Sequence, residues 1–147
     1  MSDISSNGLV AKLTASVTYP AGIPLVNFAS DVDPFDVPEL EILNAESNIN
    51  GEMVAWSVPK PVTVSIAVIP DSATDVLLGV LLSNNRVGFG KPSTKDLITI
   101  AVQYFGFPKP RIFTLGRIQS GVFGTATNSS GRRKSKTYKF VFQEVSY

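Results

Sequence analysis

The sequence predicts a mainly β fold: an antiparallel β-barrel or sandwich of two packed sheets with one flanking α-helix at about residues 71–85. Three observations carry this. Apolar residues recur at every second position in several short runs, which is the period of a strand with one face buried. The 11 glycines and 10 prolines are spread along the chain and interrupt those runs, as turns do in a β-rich domain. One stretch, after Pro70, changes to helical spacing. At 147 residues without a visible repeat or linker, the chain reads as one domain, 1–147. A chain of that size buries roughly 70% of the surface its unfolded form exposes, so it needs no staple.

In chain order, residues 9–17 alternate, with Leu9, Ala11, Leu13, Ala15 and Val17 on one side. Pro20, Gly22 and Pro24 read as a break, and residues 25–29 as a second short strand. Residues 31–38 are acidic and loop-like. Residues 39–43 alternate again, which puts Leu40 and Ile42 toward the core. Residues 62–69 are the clearest strand, rich in β-branched side chains, with Val62, Val64, Ile66 and Val68 on one face. In the helix, Asp71 or Ser72 can cap the first N–H groups, and Asp75 complements the positive end of the dipole. Leu77, Leu78, Leu81 and Leu82 form its apolar stripe, and Asn84, Asn85 and Gly88 stop it. Strands follow over 97–105, 111–119 and 121–126. A closing strand over 136–145 carries Tyr138, Phe140 and Phe142 on one face and Lys139 and Val141 on the other.

The chain has neither cysteine nor histidine. That removes disulfides, thiolate zinc sites, cysteine nucleophiles and any triad built on imidazole. A carboxylate-bound Mg²⁺ or Ca²⁺ is left open. The longest apolar run, residues 76–82, is far short of the ~20 residues that span a bilayer, and Met1 to Asn7 is polar. The expectation is a soluble protein with no membrane segment and no N-terminal export signal.

Net charge is +1, but it is unevenly placed. Residues 1–58 hold eight acids and one base, Lys12, whereas residues 59–147 hold twelve bases and four acids. The acids gather around Asp31, Asp33, Asp36, Glu46 and Glu52, and the bases around Arg132, Arg133, Lys134, Lys136 and Lys139. Three readings compete: pairing within the chain or plain solvation, complementary surfaces that meet between subunits and set register, or a nucleic-acid-binding tail over 132–139. The interface reading makes Asp31, Asp33, Asp36, Glu46, Glu52, Arg132, Arg133 and Lys134 candidates for subunit contacts.

No motif matures into an active site. Residues 85–94 look superficially like a phosphate loop, but Asn85 stands where glycine is needed and Pro92 follows Lys91 in place of Ser or Thr. A glycine-rich turn is the better reading. Asp31, Asp33 and Asp36 lack the remaining ligands and the glycine of a calcium loop. Asn128, Ser129 and Ser130 match a glycosylation acceptor that means little without secretion. The expectation is no catalysis, no cofactor and no resident metal.

The segment at about 44–61 is too long for a tight connection between its flanking strands. It holds the turn residues Asn48, Asn50 and Gly51, yet also Met53, Val54, Ala55 and Trp56 in a row. It reads as an extended arm or loop. Met53 and Trp56 are then candidate anchors on an adjacent subunit, with Pro59 and Pro61 stiffening the return. The alternative for Trp56 is a half-buried core position under a loop.

Several short motifs, in their order, resemble tail tube proteins of contractile-tailed bacteriophages. They are Val37-Pro-Glu-Leu-Glu-Ile42, Ile49-Asn-Gly51, Ser65-Ile-Ala-Val-Ile-Pro-Asp-Ser72, Asn85-Arg-Val-Gly88, Gly131-Arg132 and Lys134-Ser-Lys-Thr-Tyr-Lys-Phe140. They are scattered over about two-thirds of the chain. The resemblance implies a structural virion protein, assembled in the host cytoplasm, that forms hexameric rings stacked into a hollow tube. DNA passes through the lumen without sequence-specific binding. Its partners would be copies of itself, the tail sheath protein and other tail components. The family has no catalytic residues to transfer. The competing readings are another tail component, a terminator or sheath initiator, and a basic β-barrel nucleic-acid-binding module in which Tyr138 and Phe140 stack bases beside Lys136 and Lys139.

Overall fold

The computed structural model describes residues 10–29, 35–103, 109–124, 131 and 133–146. Its elements are β1 Val10–Ala15, β2 Tyr19–Leu25, β3 Phe35–Asp36, β4 Leu43–Ser47, β5 Met53–Ser57, β6 Val62–Val68, α1 Ala73–Asn85, β7 Ile98–Gln103, β8 Arg111–Ser120 and β9 Lys136–Ser146. Seven strands form one sheet in the order β2-β1-β7-β8-β9-β6-β3, and β4 and β5 form a second sheet by themselves. Every pairing is antiparallel. The mainly β class with one helix is therefore as the sequence predicts, and the large sheet curls into a half-barrel.

The curl brings the chain leaving β2 back to β6. Phe28 bridges Val68, the Ala29 N–H donates to the Ala67 carbonyl at 3.0 Å, and the Ile69 N–H donates to the Asn27 carbonyl at 2.9 Å. The inner face holds the core. Leu13 of β1, Val64, Ile66 and Val68 of β6, Ile98, Ile100 and Val102 of β7, and Tyr138, Phe140 and Phe142 of β9 are fully buried. The Phe113 and Phe142 rings meet at 5.5 Å between centroids, and Phe140 and Phe142 stack at 6.3 Å.

Helix α1 covers the open side of this half-barrel with the predicted stripe. Leu78, Leu81 and Leu82 join the core, and Leu77 packs at its margin. Of the two candidate caps, Ser72 is the one used: its Oγ accepts from the Asp75 N–H at 3.3 Å. Asp75 does more than complement the dipole. Its carboxylate accepts from the Asp71 N–H at 2.8 Å and from the Tyr138 hydroxyl at 2.8 Å, and it pairs with the Lys136 Nζ at 3.1 Å. The helix start is thereby bolted to β9.

Four expectations need correction. Pro20, Gly22 and Pro24 do not break a strand; they lie inside β2, and residues 27–29 make only the closing bridge. β2 is an edge strand, where a missing N–H is tolerated, and Gly22 sits at φ +84° beside an irregular register. A Cβ on Gly22 would lie 2.5 Å from the Lys12 side chain. Second, residues 39–42 are not a strand, and Leu40 and Ile42 are exposed rather than facing the core. Strand pairing begins at Leu43, because the partner strand β5 ends at Ser57. Third, residues 121–124 lie outside any strand. A Cβ on Gly121 would lie 2.7 Å from both Leu82 and Tyr138, so the chain there is pressed against the helix and β9. Fourth, Phe35 and Asp36, in the stretch read as loop, pair with Ile66 and Ser65 as β3.

Candidate functional site

The segment at 44–61 is a free-standing β-hairpin. β4 and β5 pair Leu43 with Ser57, Asn44 with Trp56, Ala45 with Ala55, Glu46 with Val54 and Ser47 with Met53. The turn is built as its residues suggest. The Asn48 side chain accepts from the N–H groups of Asn50 at 3.0 Å and Glu52 at 2.9 Å, and Gly51 takes the left-handed conformation at φ +82°. Nine of the ten strand residues are exposed. Met53 is 73% exposed, Trp56 44% and Ile49 at the tip fully so. Because side chains alternate, Val54 and Trp56 share one face with Asn44 and Glu46, whereas Leu43, Ala45, Met53 and Ala55 share the other. Both faces carry exposed apolar side chains, and neither is covered by its own barrel.

Among the ten candidate contact residues, the hairpin gathers Glu46, Glu52, Met53 and Trp56. Asp36 lies on β3 at the edge of the large sheet. Arg133 and Lys134 precede β9 and are exposed, and Arg133 forms an ion pair with Asp71 of its own chain. Asp31, Asp33 and Arg132 lie outside the described residues.

A second feature was not foreseen. A groove of about 680 Å³ runs over the outer face of β8 and β9. Val141 and Leu115 form its floor, with Leu97 on one side and Pro59 and Pro61, at the foot of the hairpin, on the other. Its charged members are Lys60 and Arg117. Lys60 lies 3.9 Å from Glu41, and no carboxylate among the described residues pairs with Arg117. The groove draws on segments as far apart as Pro59 and Gln143, so local periodicity could not have revealed it.

The floor is shaped by a bulge. β7 residues Ile98 and Ile100 face Gly116 and Phe113, so β8 carries one extra residue there. Leu115 takes it up at φ +53°, a left-handed conformation costly for a bulky side chain, and is 48% exposed. Its neighbour has to be glycine, because a Cβ on Gly116 would lie 2.2 Å from the Phe142 ring.

The polar groups inside the barrel tie the fold together. Asp96 is fully buried, and its carboxylate accepts from the Val17 and Thr18 N–H groups, the Thr18 hydroxyl and the Asn85 amide at 2.6–2.9 Å. Burial pushes its pKa up, but these hydrogen bonds outweigh it and hold the group below the ordinary carboxylate value. Burial, with the hydrogen bond to Asp75 and its charge, raises the Tyr138 phenol well above its ordinary value. Residues 88–91 form a tight turn, with Gly88 and Lys91 exchanging backbone hydrogen bonds at 3.0 Å. Among the described residues no three acidic side chains gather as metal ligands would.

An uncovered hairpin and a groove lined largely by apolar side chains thus lie on the outside of the domain. The family model described as Tail fiber protein gp32 matches residues 2–146. The chain belongs to that family. It is a structural, tail-related protein, which agrees with the tail tube resemblance at that coarser level. Among solved structures, it is similar to a sheath/tube terminator of the PVC extracellular contractile injection system in its extended state. That match has 13% identity and a TM-score of 0.53, and covers 99% of this chain and 96% of that one. Hcp1 from Flavobacterium johnsoniae matches at 12% identity and a TM-score of 0.40 over 93% of each chain, below the level that shows a common fold. No curated protein matches the chain.

Proposed function

We propose that this protein is a non-catalytic ring-forming subunit of a phage tail, and that its rings stack into the hollow tube through which DNA passes. The observation that carries the reading is the β4–β5 hairpin. A two-stranded hairpin is marginal in water by itself, and an exposed apolar arm on an otherwise well-packed domain is the mark of a protein–protein contact. Copies of the chain would use it to join one another, inside a virion whose sheath and other tail proteins surround the tube. Membership of a tail family supports this setting.

A second reading is favoured by the full-length likeness in fold to a sheath/tube terminator. In that role the chain would close a single hexameric ring at the end of a tube and stop. Negative-stain microscopy of the purified full chain, beside sedimentation velocity, tests both. Tubes of uniform width and open-ended length support the tube role, and discrete single rings support the terminator. A monomer that never associates yet binds DNA in a salt-sensitive way overturns both in favour of a nucleic-acid-binding module.

A further inference from the structure

Resting on the assembly reading, we infer where the arm lands: the Val54–Trp56 face of the hairpin in one copy docks into the groove over β8 and β9 of a second copy, with Glu46 set against Arg117.

Three observations converge on this occupant. The first is charge. Residues 13–59 contain no Lys or Arg, and the hairpin carries Glu46 and Glu52, whereas the groove contains Lys60 and Arg117 and no acid. Arg117 has no carboxylate partner among the described residues. An arginine beside apolar floor residues is suited to a fork-shaped contact with an incoming carboxylate. The second is pattern. Glu46 stands directly across from Val54 and on the same face as Trp56, so one face offers two apolar side chains and one acid. The groove offers Leu115, Val141 and Leu97 beside two bases, Arg117 and Lys60, of which Lys60 already lies near Glu41. The third is reach. Five residues per strand at ~3.3 Å each carry the tip roughly 17 Å from its foot, enough to cross into an adjacent molecule.

Leu115 gives the surface an independent signature. A bulky residue held at φ +53° and half exposed costs the monomer stability, and the barrel's own packing gains little from it. On a docking floor the same side chain is aimed at a partner. Glycine at this position would relieve the backbone while removing the contact. Leu115→Gly should therefore raise or preserve the melting temperature and weaken association. If Leu115 served only the barrel, the same change would lower the melting temperature and leave association alone.

The chain has no cysteine, so the contact can be tested on a clean background. Two full-length proteins, Val54→Cys and a size-tagged Val141→Cys, are mixed and oxidised with copper phenanthroline. The expected result is a mixed-size disulfide dimer in excess of either homodimer, abolished by Arg117→Glu and recovered when Glu46→Arg is added to the other partner. Rings or tubes seen by microscopy without the mixed dimer overturn this docking and leave the ring reading standing. The mixed dimer without rings supports the docking and sinks the ring reading. A Val54→Cys/Val141→Cys double variant that closes on itself as a monomer means that the arm folds back onto its own groove, and that also overturns the proposal.

Discussion

The half-barrel and the β4–β5 hairpin both show strand alternation, but to different ends. In β1, β6, β7 and β9 alternate side chains meet a common core and are fully buried, and among the described residues no buried side-chain polar atom lacks a partner. In the hairpin alternate side chains meet solvent on both faces, although Met53, Val54 and Trp56 are as apolar as many core residues. The barrel buries its apolar face within one chain, whereas the hairpin leaves the side chains of both faces in solvent. Stability and assembly should be separable by mutation, because they reside in different parts of the molecule.

The largest effect is expected in the barrel. Phe140→Ala removes a fully buried ring stacked on Phe142, which should cost about 3–5 kcal/mol in urea unfolding. That is a large share of the ~5–15 kcal/mol typical of a domain. A loss under about 1 kcal/mol would show that the barrel is not the stabilising unit.

A smaller loss is expected at Asp96. Asn at this position loses the charge that its four donors converge on, and about 1.5–3 kcal/mol should go with it. The linkage has a definite sign. The folded-state pKa lies below the ordinary 3.8, so the unfolded chain binds the proton more tightly. The contribution is complete above that ordinary value and disappears as pH falls through the depressed one. Melting curves of the wild type and Asp96→Asn should thus converge in strong acid and separate near neutrality. Equal separation at every pH would contradict the role given to the carboxylate.

The smallest effect on stability is expected where the effect on assembly is greatest. Replacing residues 44–58 by a short Gly-Ser turn should move the melting temperature by no more than about 2 °C. The product should be a folded protein that forms no long tubes by electron microscopy. If it unfolds instead, the hairpin belongs to the barrel's own fold, and stability and assembly are not separable.

What could be read from the sequence follows from the range of each signal. The helix stripe, β6 and the aromatic face of β9 were legible because each is long, periodic and fully buried on one side. β2 was not, because prolines are usually strand breakers and the sequence does not say which strand lies at an edge. The hairpin falls where four apolar residues follow a polar turn in the sequence. Its register was not legible, because residues 39–43 alternate as convincingly as those that pair. Of the candidate contact residues, Glu46, Glu52, Met53 and Trp56 share one element, whereas the charge tally could not tell that Arg133 meets Asp71 of its own chain. The groove was invisible, because it exists only once Pro59, Leu97, Leu115 and Val141 are brought together by the sheet.

The prolines of β2 have a consequence beyond strand placement. An open sheet edge is a template on which any passing strand can grow, and such growth has no natural end. Pro20 and Pro24 offer no N–H, so this edge is a poor template. In the assembly proposed above, copies that meet through side chains while this edge stays sterile would be able to reach high concentration without seeding fibres.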